Sequence, residues 1–168
     1  MLLWQGYDVM AGQVEHLRRS LTALAQGHEP IRRFQELPSF GWVRAATFCV
    51  CMDTPWRFRS KSCLWKYLGI GLERHHSGEG PVHLRVPRRA NKRLKNVMLG
   101  AAWSAILQAD NPFADQYTRW IQEGLSCRNG RRNVARGQAA TLWGMWKSGD
   151  EYRPEWVGRA RVSVLQSG

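Results

Sequence analysis

The segment Ile31–Met52, IRRFQELPSFGWVRAATFCVCM, decides how the chain is organised. It divides into two helical pieces around LPSFG, where Pro38 and Gly41 supply the punctuation. Two helices joined by so tight a turn predict a helix-hairpin-helix, in which backbone N–H groups at the start of the second helix face a phosphate. Such contacts hold a duplex without reading its sequence. Ser39 and Gly41 belong to the turn, and Arg44, one turn into the second helix, adds a charge. The same residues also fit an ordinary corner between two helices, and the segment by itself leaves both readings open.

On the N-terminal side, VEHLRRSLTALAQ carries Val14, Leu17, Leu21, Leu24 and Ala25 at helical spacing, ended by Gly27 and Pro30. Residues 1–30 therefore read as an amphipathic helix, either the end of a coiled-coil connector or a helix folded onto its own domain. On the C-terminal side, DTPWRF is a turn and SKSCLWKYLGI a short helix ending at Gly69. Gly71–Val86 lacks a helical period and reads as a loop with a hairpin. Arg88–Ala109 is the clearest helix, with Leu94, Val97, Met98, Ala101, Ala102, Ala105 and Ile106 on one apolar face. Asn111 followed by proline starts another helix. RNGRRN reads as a basic loop, Val134–Gly149 as a last helix and residues 151–168 as a tail. The expected fold is mainly α: a helix-hairpin-helix, then a small helical bundle, with the loop or hairpin as an insertion. Residues 31–150 form its principal domain. Trp42, Trp56, Trp65, Trp103, Trp143 and Trp146 fall mostly on apolar faces, which favours core packing over base stacking.

Charge narrows the function. The 168-residue chain carries a formal +12, and a polyanion is its simplest partner. Between Arg57 and Lys95 eleven Lys/Arg stand against Glu73 and Glu79, so nine of the twelve net charges lie in under a quarter of the chain. Arg74, Arg85, Arg88, Arg89, Lys92, Arg93 and Lys95 are the candidates for phosphate contact, whose strength comes largely from counterion release. The four cysteines show no CxxC pair, which argues for reduced thiols and against zinc; no metal ligand is assigned in this chain. With no signal-peptide pattern and no apolar run near the ~18 residues a span needs, a cytoplasmic protein without a membrane partner is expected.

Within the basic region, ERHHSGEG places Ser77 after paired histidines and among glycines that let a bulky substrate approach. His75 or His76 could act as base or acid, and Arg74 and Arg85 could neutralise a phosphoryl oxygen. A serine beside glycine is equally the composition of a plain turn. No carboxylate pair of the kind a two-metal site uses lies near it.

The order LPSFGWVRAATF, DTPWRFRSKSCLWKYLGI, ERHHSGEG, RANKRLKNVMLGAAWSAI and SGDEYRP resembles the C-terminal transposase domain of the insertion-sequence one-ten family, recombinases related to the Piv and MooV invertases. The resemblance spans about Ile31 to Pro154. It implies that Ser77, at the serine of the family's serine–glycine loop, is the DNA nucleophile and forms a phosphoserine link during strand exchange. It further implies an N-terminal RuvC-like domain whose four acidic residues hold Mg²⁺, a coiled-coil joint, and in some members a non-coding guide RNA. The chain departs from the pattern in three places. Ser39 stands where the family has its first hairpin glycine, GLERHH replaces a proline-containing loop, and the RuvC-like domain is expected to be missing from this chain.

The expectation is thus a transposase or recombinase C-terminal domain cut at the coiled-coil joint. It would bind DNA, work as a homo-oligomer or with a separate RuvC-like subunit that holds the Mg²⁺, and be inactive alone. The alternative is a non-catalytic DNA-binding remnant or a regulator of a full-length recombinase.

Overall fold

Side-chain caps fix where the central helices begin. Ser60 Oγ accepts the Cys63 N–H at 3.3 Å, Asn91 Oδ1 the Leu94 N–H at 3.0 Å, and Asn111 Oδ1 those of Phe113 and Ala114 at 3.1 and 3.2 Å. Each cap satisfies amides that the first helical turn leaves without partners. The computed structural model describes residues 2–75, 83–85, 87 and 89–157. In these, the helices are α1 (Leu2–Gln26), α2 (Glu29–Phe34), α3 (Trp42–Met52), α4 (Lys61–Tyr67), α5 (Lys92–Leu107), α6 (Pro112–Gln122) and α7 (Cys127–Ser148). Single 3-10 turns lie at Pro55–Arg57 and Pro154–Trp156. Strands β1 (Glu73–His75) and β2 (His83–Arg85) pair antiparallel, with Glu73 opposite Arg85 and His75 opposite His83. The fold is mainly α, with the β-hairpin inserted between α4 and α5.

The centre is the packing of α5 on α7, with α6 laid against both. Leu94, Met98, Ala101, Ala102 and Ala105 of α5 are fully buried, as are Val134, Ala135, Ala139, Leu142 and Met145 of α7. Alanines at the contact let the two backbones approach, and the larger chains fill the space on either side. α2 bridges α3 and α7 through Phe34, whose ring meets Phe48 and Trp146 edge-on at 5.5 and 5.4 Å. Each such aromatic side chain contributes roughly 1.5–3 kcal/mol by burial. The Trp65 indole N–H donates to the Arg136 carbonyl at 3.1 Å, which fastens α4 to α7.

Four expectations are corrected. RNGRRN is not a loop: it forms the first turns of α7, and Gly130 is buried there because a Cβ would sit 2.9 Å from the Tyr117 ring of α6. The glycine serves helix contact instead of a break. α5 starts at Lys92, capped by Asn91, so Arg89 precedes the helix, while Arg88 lies outside the described residues. Trp56 and Trp103 are exposed, unlike the half-buried Trp42, Trp65 and Trp146 and the buried Trp143. The first residues of the tail are held, since Tyr152 and Val157 pack on the core and the Tyr152 N–H donates to Glu36 at 2.8 Å. Burial pushes the Tyr152 hydroxyl up to about 12. Residues 158–168 lie outside the described residues.

α1 begins at Leu2 and fills most of residues 1–30, carrying the apolar spacing back beyond Val14. Leu3, Tyr7, Met10, Val14, Leu17, Leu21 and Leu24 alternate in steps of four and three, the seam pattern of a coiled coil. Only its end meets the body: Ala25 is buried and Leu21 packs on the core, while Leu3, Tyr7, Met10, Val14, Leu17 and Leu24 are exposed.

Two glycines separate close packing from helix propensity. A Cβ on Gly71 would lie 2.8 Å from the Lys66 amide nitrogen, whereas one on exposed Gly144 in α7 meets nothing within 4 Å. Gly71→Ala is expected to destabilise the chain by roughly 1–3 kcal/mol, as overpacking does. Gly144→Ala should stabilise it by about 0.5–1 kcal/mol. Urea denaturation of the two variants checks both signs.

Candidate nucleic-acid interface

The basic face is assembled around Tyr67. Its carbonyl accepts the Asn91 N–H at 2.9 Å, and its hydroxyl accepts from Asn91 Nδ2 at 3.3 Å while donating to the Cys51 carbonyl at 3.1 Å. The Arg57 guanidinium stacks over the same ring, 4.6 Å from its centroid. One residue thus gathers the end of α3, the Pro55–Arg57 turn and the start of α5. Gly69 completes the joint. Its φ of +67° suits glycine, and a Cβ there would lie 3.0 Å from Ala90 and 3.1 Å from the Lys95 stem. Arg136 donates to the Ile70 carbonyl at 2.7 Å, and burial lowers the pKa of its guanidinium below the ordinary arginine value.

Four of the predicted cations lie beside this joint. Arg89, Lys92 and Arg93 are exposed at the start of α5, and Lys95 is half-buried against Gly69. Arg57, Arg59 and Lys61, which were not singled out as contacts, join them from the turn and from α4; their signal was the charge density already visible between Arg57 and Lys95. The β-hairpin springs from the same place, because the Asn91–Tyr67 bond holds its two ends together. Arg74 and Arg85 lie in its strands, on neighbouring register pairs. Ser77, together with His76, falls in the connection of residues 76–82, outside the described residues. His75 is in the last described pair before that connection.

The turn between α2 and α3 is held from within. Ser39, not Gly41, has the left-handed backbone, with φ of +67° against −79° for Gly41. That conformation costs a residue with a Cβ about 1 kcal/mol, and hydrogen bonds offset it. Ser39 Oγ donates to the Ala101 carbonyl at 2.7 Å and accepts from Gln138 Nε2 at 3.4 Å. Arg44 Nη1 donates to the Ser39 carbonyl at 2.6 Å and Nη2 to Ser104 Oγ at 3.0 Å. Both side chains are engaged inside the protein, where they tie the turn to α5 and α7. What the turn offers outward is exposed Gly41 and the start of α3, which has no side-chain cap.

Among the described residues no three His, Cys, Asp or Glu side chains lie close enough to hold a metal ion. No helix among them is long and apolar enough to cross a membrane.

Exposed Arg and Lys at the base of the hairpin make a positively charged surface, the kind that attracts a polyanion. The sequence profile of the Transposase IS116/IS110/IS902 family matches residues 31–118, just over half of the chain, and the chain belongs to that family. Its class acts in DNA transposition, and DNA is the polyanion that this membership implies. The matched span holds the α2–α3 turn, the hairpin and the whole of α5; α7, on which they pack, lies beyond it. Among curated proteins none matches the chain.

Removing the Ser39 hydroxyl should expose its compensating role. Ser39→Ala keeps the left-handed strain and loses both hydrogen bonds, for an expected cost of about 1–2 kcal/mol. Ser39→Gly loses the bonds but relieves the strain, so its cost should be smaller; thermal unfolding orders the two. At the start of α4, the hydrogen bond from Ser60 and then the one from Arg59 lower the Cys63 thiol, whereas burial raises that of Cys49. The Cys63 thiolate therefore forms at lower pH than that of Cys49. Site-resolved alkylation across pH should modify Cys63 at lower pH than Cys49, and Ser60→Ala should move the Cys63 profile to higher pH.

Proposed function

We propose that the chain is the DNA-binding and serine-bearing part of a transposase. DNA lies against Arg57, Arg59, Arg89, Lys92, Arg93 and Lys95, and Ser77 acts on it from the hairpin connection. The observation that carries this reading is the joint at Tyr67 and Asn91: it roots the hairpin in the basic face, with the strands of Arg74 and Arg85 rising from it. Arg88 extends the same run of cations. The α2–α3 turn contributes as a helix-hairpin-helix through the amides near Gly41, with Ser39 and Arg44 holding its shape.

On this reading Ser77 Oγ attacks a backbone phosphorus, giving up its proton and displacing a sugar hydroxyl of the cut strand. The resulting phosphoserine keeps the phosphodiester available for rejoining to another strand. Free serine is a weak nucleophile, so the step needs a base and charge stabilisation. Arg74 and Arg85 supply positive charge, and His75 or His76 receives the proton. A RuvC-like partner with its Mg²⁺ belongs to another part of the assembly, and α1, with its seam, is the joint to that subunit or to a second copy. A guide RNA would meet the same basic face through its phosphates. Family membership supports the transposition reading as a whole, and the exposed cations support its DNA contact.

Two variants test it. Lys92→Ala combined with Arg93→Ala should weaken duplex binding for every sequence and reduce the slope of log K against log salt by roughly 2. Ser77→Ala should bind nicked or branched DNA as the parent does but form no covalent adduct in the presence of a RuvC-like partner. Adducts that persist in Ser77→Ala would exclude this serine, and parent binding insensitive to salt would exclude the interface.

A further inference from the structure

Outside the basic face the chain holds an exposed aromatic side chain that packing does not explain. Trp56 is 71% accessible, although it sits in a turn anchored at several points. The Thr54 hydroxyl accepts the Trp56 N–H at 3.4 Å, and the Trp143 indole N–H donates to the Pro55 carbonyl at 2.7 Å. Pro55 and Phe58 are buried on either side of it in sequence. The turn is therefore rigid while its indole stays in water. Lys147, in the last turn of α7, lies between two rings, with its ammonium 3.8 Å from the Trp143 centroid and 5.1 Å from that of Trp56. The ammonium is thereby held beside the indole in place of sweeping through solvent.

The neighbours of Trp56 are cationic. Arg57 follows directly, and Arg59 and Lys61 are exposed on the way into α4. Among the described residues the only carboxylate–cation pairs are Arg19–Glu15 and Arg33–Glu29, so none of these cations has an acidic partner there. Arg57 also lies on Tyr67, so the Trp56 turn runs directly into the face of α5. An aromatic plane in water, a fixed ammonium beside it and a row of free cations leading away are what an unpaired nucleotide needs: a surface for the base and a track for the phosphates. A duplex offers no such base, because its bases are already stacked on one another.

We infer that Trp56, with Lys147 fixed beside it, is a stacking site for an unpaired base of a nucleic-acid strand whose phosphates follow Arg57, Arg59 and Lys61. It rests on the reading of the basic face as a nucleic-acid interface and adds a second mode to it, directed at single-stranded segments. Stacking is indifferent to sequence and to sugar, so a displaced DNA strand and an RNA loop share the chemistry that the site recognises. Trp143 belongs to the core and serves only as the wall that holds Lys147.

The test uses the full chain and two strands of equal length and charge, an oligothymidylate and an abasic strand of the same backbone. A matched oligouridylate separates the RNA source from the DNA one. The parent should bind oligothymidylate about tenfold or more tighter than the abasic strand, the scale of one or two stacked bases. Trp56→Ala should abolish that preference and leave abasic-strand and duplex affinity unchanged; Trp56→Phe should retain part of it. Lys147→Met should weaken oligothymidylate binding and spare the duplex. The site is overturned if Trp56→Ala binds oligothymidylate as the parent does, or if it lowers all three affinities equally, which would mark a purely structural role. A parent that binds duplex but ignores the presence of bases would refute this inference and leave the duplex interface standing. A parent that binds no nucleic acid at all would refute both.

Discussion

Tyr67 and Asn91 are joined twice, backbone to backbone and side chain to side chain, and the functional part of the molecule depends on that joint. They are separated by 23 intervening residues, of which Leu68 and Ile70 enter the core directly after Tyr67. Without the joint, closing so long a loop would fall to weaker contacts, and the hairpin would have no defined root. With it, the two ends of the insertion leave the body at one point. The same asparagine caps α5, so the helix start and the hairpin base are fixed by one side chain. The Tyr67 hydroxyl, donating to the Cys51 carbonyl, extends the constraint to α3. A single substitution here would loosen charge placement, helix start and hairpin together.

A second polar knot holds the α2–α3 turn. Ser39, Arg44, Ser104 and Gln138 bond one another and the carbonyls of Pro38, Ser39 and Ala101, between the turn and the α5–α7 centre, leaving Gln138 Oε1 buried without a partner. Partly buried hydrogen bonds of this kind contribute little net energy singly but are costly to break one-sidedly. The result is a turn whose side chains face inward and whose backbone faces out. Ser39 and Arg44 thus spend these hydrogen bonds on the shape of the turn.

Much of the fold could be read in the sequence because local chemistry agreed with tertiary demand. The asparagine–proline start of α6, the Ser60 cap of α4 and the Gly69 stop each report a backbone requirement that no distant contact overrides. The apolar face of α5 named the core correctly at Leu94, Met98, Ala101, Ala102 and Ala105. What could not be read was tertiary in origin. Gly130 and its arginine neighbours resemble a loop until the Tyr117 ring is set against them. Trp56 looks like core by composition, and only the Trp143–Pro55 bond, which turns the neighbouring backbone inward, leaves the indole outside. In the interface the cations were evident as a density along the chain, while the Tyr67 joint that groups them needed two segments far apart in sequence.

The scarcity of acidic partners has an effect on the protein's own stability. With two carboxylate–cation pairs among the described residues and a formal charge of +12, the folded chain repels itself. Dissolved salt screens that repulsion over a Debye length of about 10 Å at 0.1 M, and so favours the compact state, while it weakens attraction to phosphates. A nucleic acid brings the missing negative charge directly to the crowded face. A polyanion bound to this fold would take the place that acidic side chains fill in a neutral protein, and the free and bound chains would then respond to ionic strength in opposite senses.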